Sequence, residues 1–140
     1  MKKGFSLLEI LVALAIFGLL SGLVLSSLLG LFRINRSGAL EARAVVVAKD
    51  FLERAVKEGT YANNTLTLPK PSQTGGFTWQ VAAAGRPNVN QSLSFQTCAA
   101  TTSAYTCNVS CSGSACALVA VRLTLTAGGK SYVFYREWAP

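Results

Sequence analysis

From Phe5 to Phe32 the chain carries one charge, Glu9, in about 28 residues, more than the roughly 20 that a helix needs to cross a bilayer. A cleaved signal peptide has a shorter apolar part, roughly 7–15 residues, ending at small residues. The run therefore reads as a membrane-spanning helix. Lys2, Lys3 and Gly4 precede it; Arg33 and Arg36 follow. The basic residues on its two sides nearly balance, so they do not set the orientation by themselves. Glu9 needs its own reason. An acid at the bilayer centre costs about 2.5–3.5 kcal/mol on insertion scales, and a plain anchor gains nothing from it. Glu9 lies near one end of the run, which lowers the cost without removing it.

The residues around Glu9 form an ordered series: Lys2-Lys3-Gly4, then Phe5-Ser6-Leu7-Leu8-Glu9, then Ile10-Leu11-Val12-Ala13-Leu14-Ala15. This series resembles the class III leader of type IV pilins and pseudopilins. The resemblance covers about the first 30 residues, the stretch that such a leader and its spanning helix occupy. It implies that a prepilin peptidase cuts between Gly4 and Phe5 and methylates the new amine of Phe5. It implies that Glu9 guides assembly into a filament. The physical argument agrees. A carboxylate in hydrocarbon seeks a cation. Cleavage would expose an amine at Phe5, about one turn from Glu9. In a filament the amine of an incoming subunit can meet Glu9 of one already docked. Breaking such a buried pair costs roughly 3–5 kcal/mol, enough to select register.

Within the anchor, Gly18, Gly22, Ser26 and Gly30 recur at intervals of four. Small residues at this spacing let helices approach closely in lipid, so they read as a packing seam between subunits. No proline occurs before Pro69. Past Phe32 the pattern turns amphipathic. Leu40, Ala44, Val47, Phe51 and Ala55 form one stripe, widened by Val45, Ala48, Leu52 and Val56. Gly59 is a natural stop after Glu58. One helix is therefore expected from about Phe5 to about Glu58, with Asn35–Gly38 its weakest point.

From Thr60 the texture changes to β. The reading gives a loop at 61–64, a short strand at Thr65–Leu68 and a loop at Pro69–Gly76. Phe77–Val81 and Leu93–Gln96 alternate as half-buried strands, separated by a turn at Arg86-Pro87-Asn88. A last hairpin turns on Gly128-Gly129, between Val119–Leu125 and Tyr132–Trp138. The expected fold class is α+β: a long N-terminal helix whose second half packs on a small antiparallel sheet of about four strands. The resemblance implies the same pilin-like layout. Four segments follow: leader 1–4, transmembrane and assembly helix 5–32, amphipathic continuation 33–59, and a β domain 60–140 holding a Cys-rich loop at 98–116.

Cys98, Cys107, Cys111 and Cys116 are the four cysteines. Their tight grouping in a Gly/Ser/Thr-rich stretch reads as disulfides in an oxidising space, with three pairings open. Bonded, they would make the loop a rigid, exposed knob. A zinc site built from the four thiolates fits their spacing poorly. The cysteines and the leader place the C-terminal domain in the periplasm, behind a single inner-membrane pass, and later in a filament that reaches the cell surface.

Net charge is +7 with no histidine in 140 residues. The commonest general base and metal ligand is therefore missing. No catalytic grouping, metal motif or cofactor loop stands out, and an enzyme is poorly supported. Arg86, Arg122, Lys130 and Arg136, with Tyr132, Tyr135 and Trp138, would give the terminal hairpin a basic aromatic face. Such a face fits a DNA backbone or simply serves solubility. Whether Arg122 and Arg136 share a side depends on register.

The resulting reading is a minor type IV pilin-like filament subunit, serving motility, adhesion or DNA uptake. Its partners would be other pilin subunits, the prepilin peptidase and the inner-membrane assembly platform. A type II secretion pseudopilin is the near alternative. A membrane-anchored binding module that never polymerises is the alternative of another class.

Overall fold

The computed structural model describes residues 7–111 and 115–140. The chain divides into two compact units between Ala39 and Leu40. One helix, α1, runs Leu7–Glu58 and contributes to both. Eight strands follow: β1 Thr60–Ala62, β2 Thr65–Pro69, β3 Thr78–Arg86, β4 Gln96–Thr97, β5 Ala99–Ala100, β6 Ala104–Asn108, β7 Leu118–Ala127 and β8 Lys130–Trp138. All strand pairings are antiparallel. The fold class is thus α+β, a long apolar helix with antiparallel sheet, as the sequence predicts.

The helix is apolar along its first half, long enough there to cross a membrane, and amphipathic along its second, where one face packs into a core with strands. From Leu40 onward Ala44, Ala48, Phe51, Leu52 and Ala55 are buried. Their spacing of three and four residues lays them on one face. Val45, expected in that stripe, is exposed instead. It lies one residue past Ala44, about 100° around the helix, which turns it away from the sheet. Gly59 ends the helix; its N–H bonds the Ala55 carbonyl at 3.0 Å.

The strands form two sheets rather than the single sheet of about four strands that alternation predicts. One has the order β1-β2-β6-β5, the other β4-β3-β7-β8. The difference has local causes. Asn63 and Asn64 both take positive φ, 49° and 59°, the backbone of a two-residue hairpin turn that asparagine tolerates. That turn converts the expected loop at 61–64 into the β1–β2 hairpin. β3 extends past Val81 through Ala82-Ala83-Ala84, which are all buried, so neither face shows alternation. Leu93–Gln96 is not a strand; only Gln96 and Thr97 pair with β3. The Cys-rich stretch supplies β6, which pairs with β2 over five residues.

Helix and both sheets share one core. Phe51 stands edge-on to Trp79 of β3 at 5.4 Å and to Tyr105 of β6 at 6.2 Å between ring centres. Leu66 and Leu68 of β2, Val81 of β3, and Val119, Val121, Leu123 and Leu125 of β7 complete it, all essentially closed to solvent. Each such side chain contributes roughly 1.5–3 kcal/mol by leaving water.

Candidate assembly site

The first unit presents the residues that the sequence singles out for assembly. Gly4 and Phe5, the expected processing point, lie outside the described residues, as does the rest of the leader. Glu9 sits in the first turn of the described helix. The described helix is long and apolar enough to cross a membrane, and its most apolar window is unburied by the rest of the chain. Leu7, Leu8, Ile10, Leu11, Phe17, Leu19 and many others stand exposed. Apolar surface on this scale needs a cover of lipid or neighbouring helices.

A Cβ added at Gly18, Gly22 or Gly30 meets nothing within 4 Å. The stripe of small residues is thus open along the helix. Three serines carry a signal that sequence reasoning passed over. Ser21 donates to the Phe17 carbonyl at 2.8 Å, Ser26 to Leu23 at 2.9 Å and Ser27 to Leu23 at 3.1 Å. Each hydroxyl is satisfied by its own helix, as a side chain facing hydrocarbon must be. Ser26, counted in the seam, already spends its proton on Leu23.

The second unit is braced where its chain crosses between sheets. Cys98 pairs with Cys107 and Cys111 with Cys116, with Cα atoms 4.3 and 5.4 Å apart. Cys98 lies between β4, which belongs to the β3 sheet, and β5, which belongs to the β6 sheet. Its N–H bonds the Val81 carbonyl of β3 at 2.9 Å, while Cys107 sits in β6. This bond therefore ties the two sheets at the first crossing. The second crossing runs from β6 back to β7. There Tyr61 of β1 points its hydroxyl at Cys116 Sγ, 3.3 Å away, and at the Val109 carbonyl, also 3.3 Å away. Gly85 of β3 lies beneath: a Cβ there would sit 2.5 Å from Cys116 Sγ and 2.6 Å from Val109. Only glycine leaves room for the disulfide.

The described part of the loop is largely exposed, as expected, but the disulfides that brace it are buried in the core. All four cysteines are at most 9% exposed. Sequence shows the cysteines but not the crossings, because sheet membership is non-local. All four sulfurs are bonded in pairs, which leaves no thiolate for the zinc alternative.

The basic aromatic face does not form as one surface. Arg122 faces Tyr135 across the β7–β8 ladder, and Arg136 faces Val121. Neighbouring residues on a strand alternate sides, so Arg122 and Arg136 project on opposite faces. Arg86 is engaged. Its Nη2 lies 2.6 Å from Glu137 Oε1 and its Nη1 donates to the Val89 carbonyl at 3.0 Å. The ion contact is not an aligned hydrogen bond, since Glu137 Oε1 and Arg86 Nε have no hydrogen-bond partner among the described residues. The Tyr135 hydroxyl donates to Glu137 Oε2 at 2.9 Å. Partial burial pushes that hydroxyl above the usual tyrosine range, and the neighbouring carboxylate adds to the shift. The Arg122 guanidinium lies 4.7 Å over the Phe95 ring, a cation–π contact. On the helix, Arg54 reaches both oxygens of Glu58 and holds its carboxyl below the ordinary range.

An apolar, acid-bearing helix followed by an α+β unit clasped by two disulfides is a pilin-like layout. A family model described as the prokaryotic N-terminal methylation motif matches residues 1–25, and it supports the type IV pilin and pseudopilin family. The motif implies processing by a prepilin peptidase, membrane anchoring and assembly with other pilin subunits. No curated protein and no solved structure matches the chain.

Proposed function

We propose that this chain is a minor type IV pilin-like subunit. It is cut between Gly4 and Phe5, methylated at Phe5 and held in the inner membrane by a single helix with its head in the periplasm. The assembly platform then draws it into a filament. Glu9 is the recruiting charge, neutralised by the Phe5 amine of a neighbouring copy. Gly18, Gly22, Ser26 and Gly30 form the face along which helices close. The carrying observation is the methylation-motif match at 1–25, continued by a helix whose apolar surface nothing among the described residues covers. The two disulfides agree with an oxidising compartment. DNA contact is the least supported part of the reading, because Arg86 is paired and Arg122 and Arg136 face apart.

Two measurements test it. Mass spectrometry of the mature protein is expected to show a methylated Phe5 terminus; an intact Met1 sinks the processing claim. Glu9→Ala is expected to insert normally but drop out of filaments. Normal incorporation of that variant removes Glu9 as the recruiting charge, and unchanged localisation and function with no entry of either form into filaments favours the simple anchored module.

A further inference from the structure

Sheet edges expose unpaired N–H and C=O groups, and folded proteins usually keep them short. Three of the four edges here obey: β1 has three residues, and β4 and β5 two each. The fourth does not. β8 ends its sheet with nine residues, no proline and only β7 beside it among the described strands. Val133 and Tyr135 stand 61% and 51% exposed on one side of it.

The hairpin fixes which backbone groups point outward. Gly128 and Gly129 take positive φ, 58° and 76°, the two-residue turn that sets Ala127 opposite Lys130. In such a turn the N–H of the fourth residue bonds the carbonyl of the first. Lys130, Tyr132, Phe134, Arg136 and Trp138 therefore spend their backbone groups on β7. Ser131, Val133, Tyr135 and Glu137 direct theirs to the open edge.

We propose that β8 docks edge-to-edge with β8 of a second copy of this chain, antiparallel and centred on Phe134. The outward groups restrict antiparallel pairing to registers two residues apart. Centring on Phe134 pairs all nine residues. Tyr132 then faces Arg136 of the second copy, Ser131 faces Glu137, Val133 faces Tyr135, and the two Phe134 rings meet. These are an aromatic–cation pair, a hydroxyl–carboxylate pair and two apolar pairs, the kinds that stabilise adjacent strands. Centring on Val133 sets Lys130 directly against Arg136, a like-charge pair that opposes docking. Centring on Tyr135 leaves the first two residues unpaired. The strand is thus complementary to itself in one register. The contact is two-fold and closes at two copies, unlike the open helical packing of a filament. It goes beyond the assembly reading and does not depend on it.

The test uses the full chain in detergent, before any assembly. Val133→Cys and Tyr135→Cys are made separately, with different tags, then mixed and oxidised. In the proposed register these positions are opposite, about 5.5 Å apart at Cα and within disulfide reach. Each against its own copy is offset by two residues and falls outside it. Efficient cross-linking only in the mixture is expected. Equal yields in all three samples, no cross-link, or capture of a different polypeptide overturns the second-copy assignment. Val133→Pro removes one outward N–H without touching the β7 ladder. It should leave circular dichroism unchanged and abolish the dimer seen by light scattering. A folded Val133→Pro chain that still dimerises also overturns the proposal. If that variant unfolds, the cross-linking arms decide.

Discussion

The two units solve opposite problems with similar residues. Up to Ala39 the helix carries its leucines on the outside, with the hydroxyls of Ser21, Ser26 and Ser27 bonded back to its own backbone. From Leu40 on, apolar side chains of the same kinds are closed inside a core shared by a helix and two sheets. The first unit is stable only in what surrounds it. The second supplies its own cover and adds two covalent clasps. One chain thus holds a part built to be packed by others and a part built to stand in water.

Matched substitutions break or sharpen that contrast. Phe51→Ala should cost the head about 3–5 kcal/mol, because the ring is 1% exposed and meets two aromatics. Thermal unfolding followed by near-UV dichroism reads it; membrane insertion should not change. Replacing both Cys98 and Cys107 by Ser should cost about 2–3 kcal/mol, read as a lower denaturant midpoint. An unchanged midpoint would show that the sheets do not need the clasp. Glu137→Gln strips the charge from the half-buried contact with Arg86 and should cost about 1.5–3 kcal/mol. Leu19→Ala, on an exposed anchor position, should leave head stability within about 0.5 kcal/mol. A larger shift would contradict the independence of the two units.

A pH effect belongs to the head. Burial raises the hydroxyl of Tyr105 above the ordinary 10.0, and burial with Glu137 raises that of Tyr135. A folded value above the unfolded one means that the neutral form is favoured. Their contribution to stability is complete below pH 10.0 and is lost as pH rises through the folded values. Alkaline titration of tyrosinate absorbance alongside dichroism should show late ionisation coinciding with loss of fold.

Local signals were read well where one stretch of chain decides the outcome. The end of the helix at Glu58, the stripe through Ala44, Phe51 and Ala55, and the Gly128-Gly129 turn all follow from spacing and backbone freedom. The leader motif is likewise a run of adjacent residues. Signals failed where two distant stretches decide. The alanines of β3 look too weak for a strand, yet they sit in one because both faces are covered. Leu93–Gln96 alternates correctly and is still mostly loop, since only its last residue finds a partner strand.

What the sequence determined alone is the division of labour: an uninterrupted apolar helix with one acid, then an amphipathic turn toward β structure. Periodicity and hydropathy act over a few residues, so they are written locally. What only the folded structure decided is the partnership of groups far apart in the chain. Which cysteine joins which, which arginine is neutralised, and which strand is left with an open edge all depend on contacts closed by the whole domain, and no window of sequence contains them.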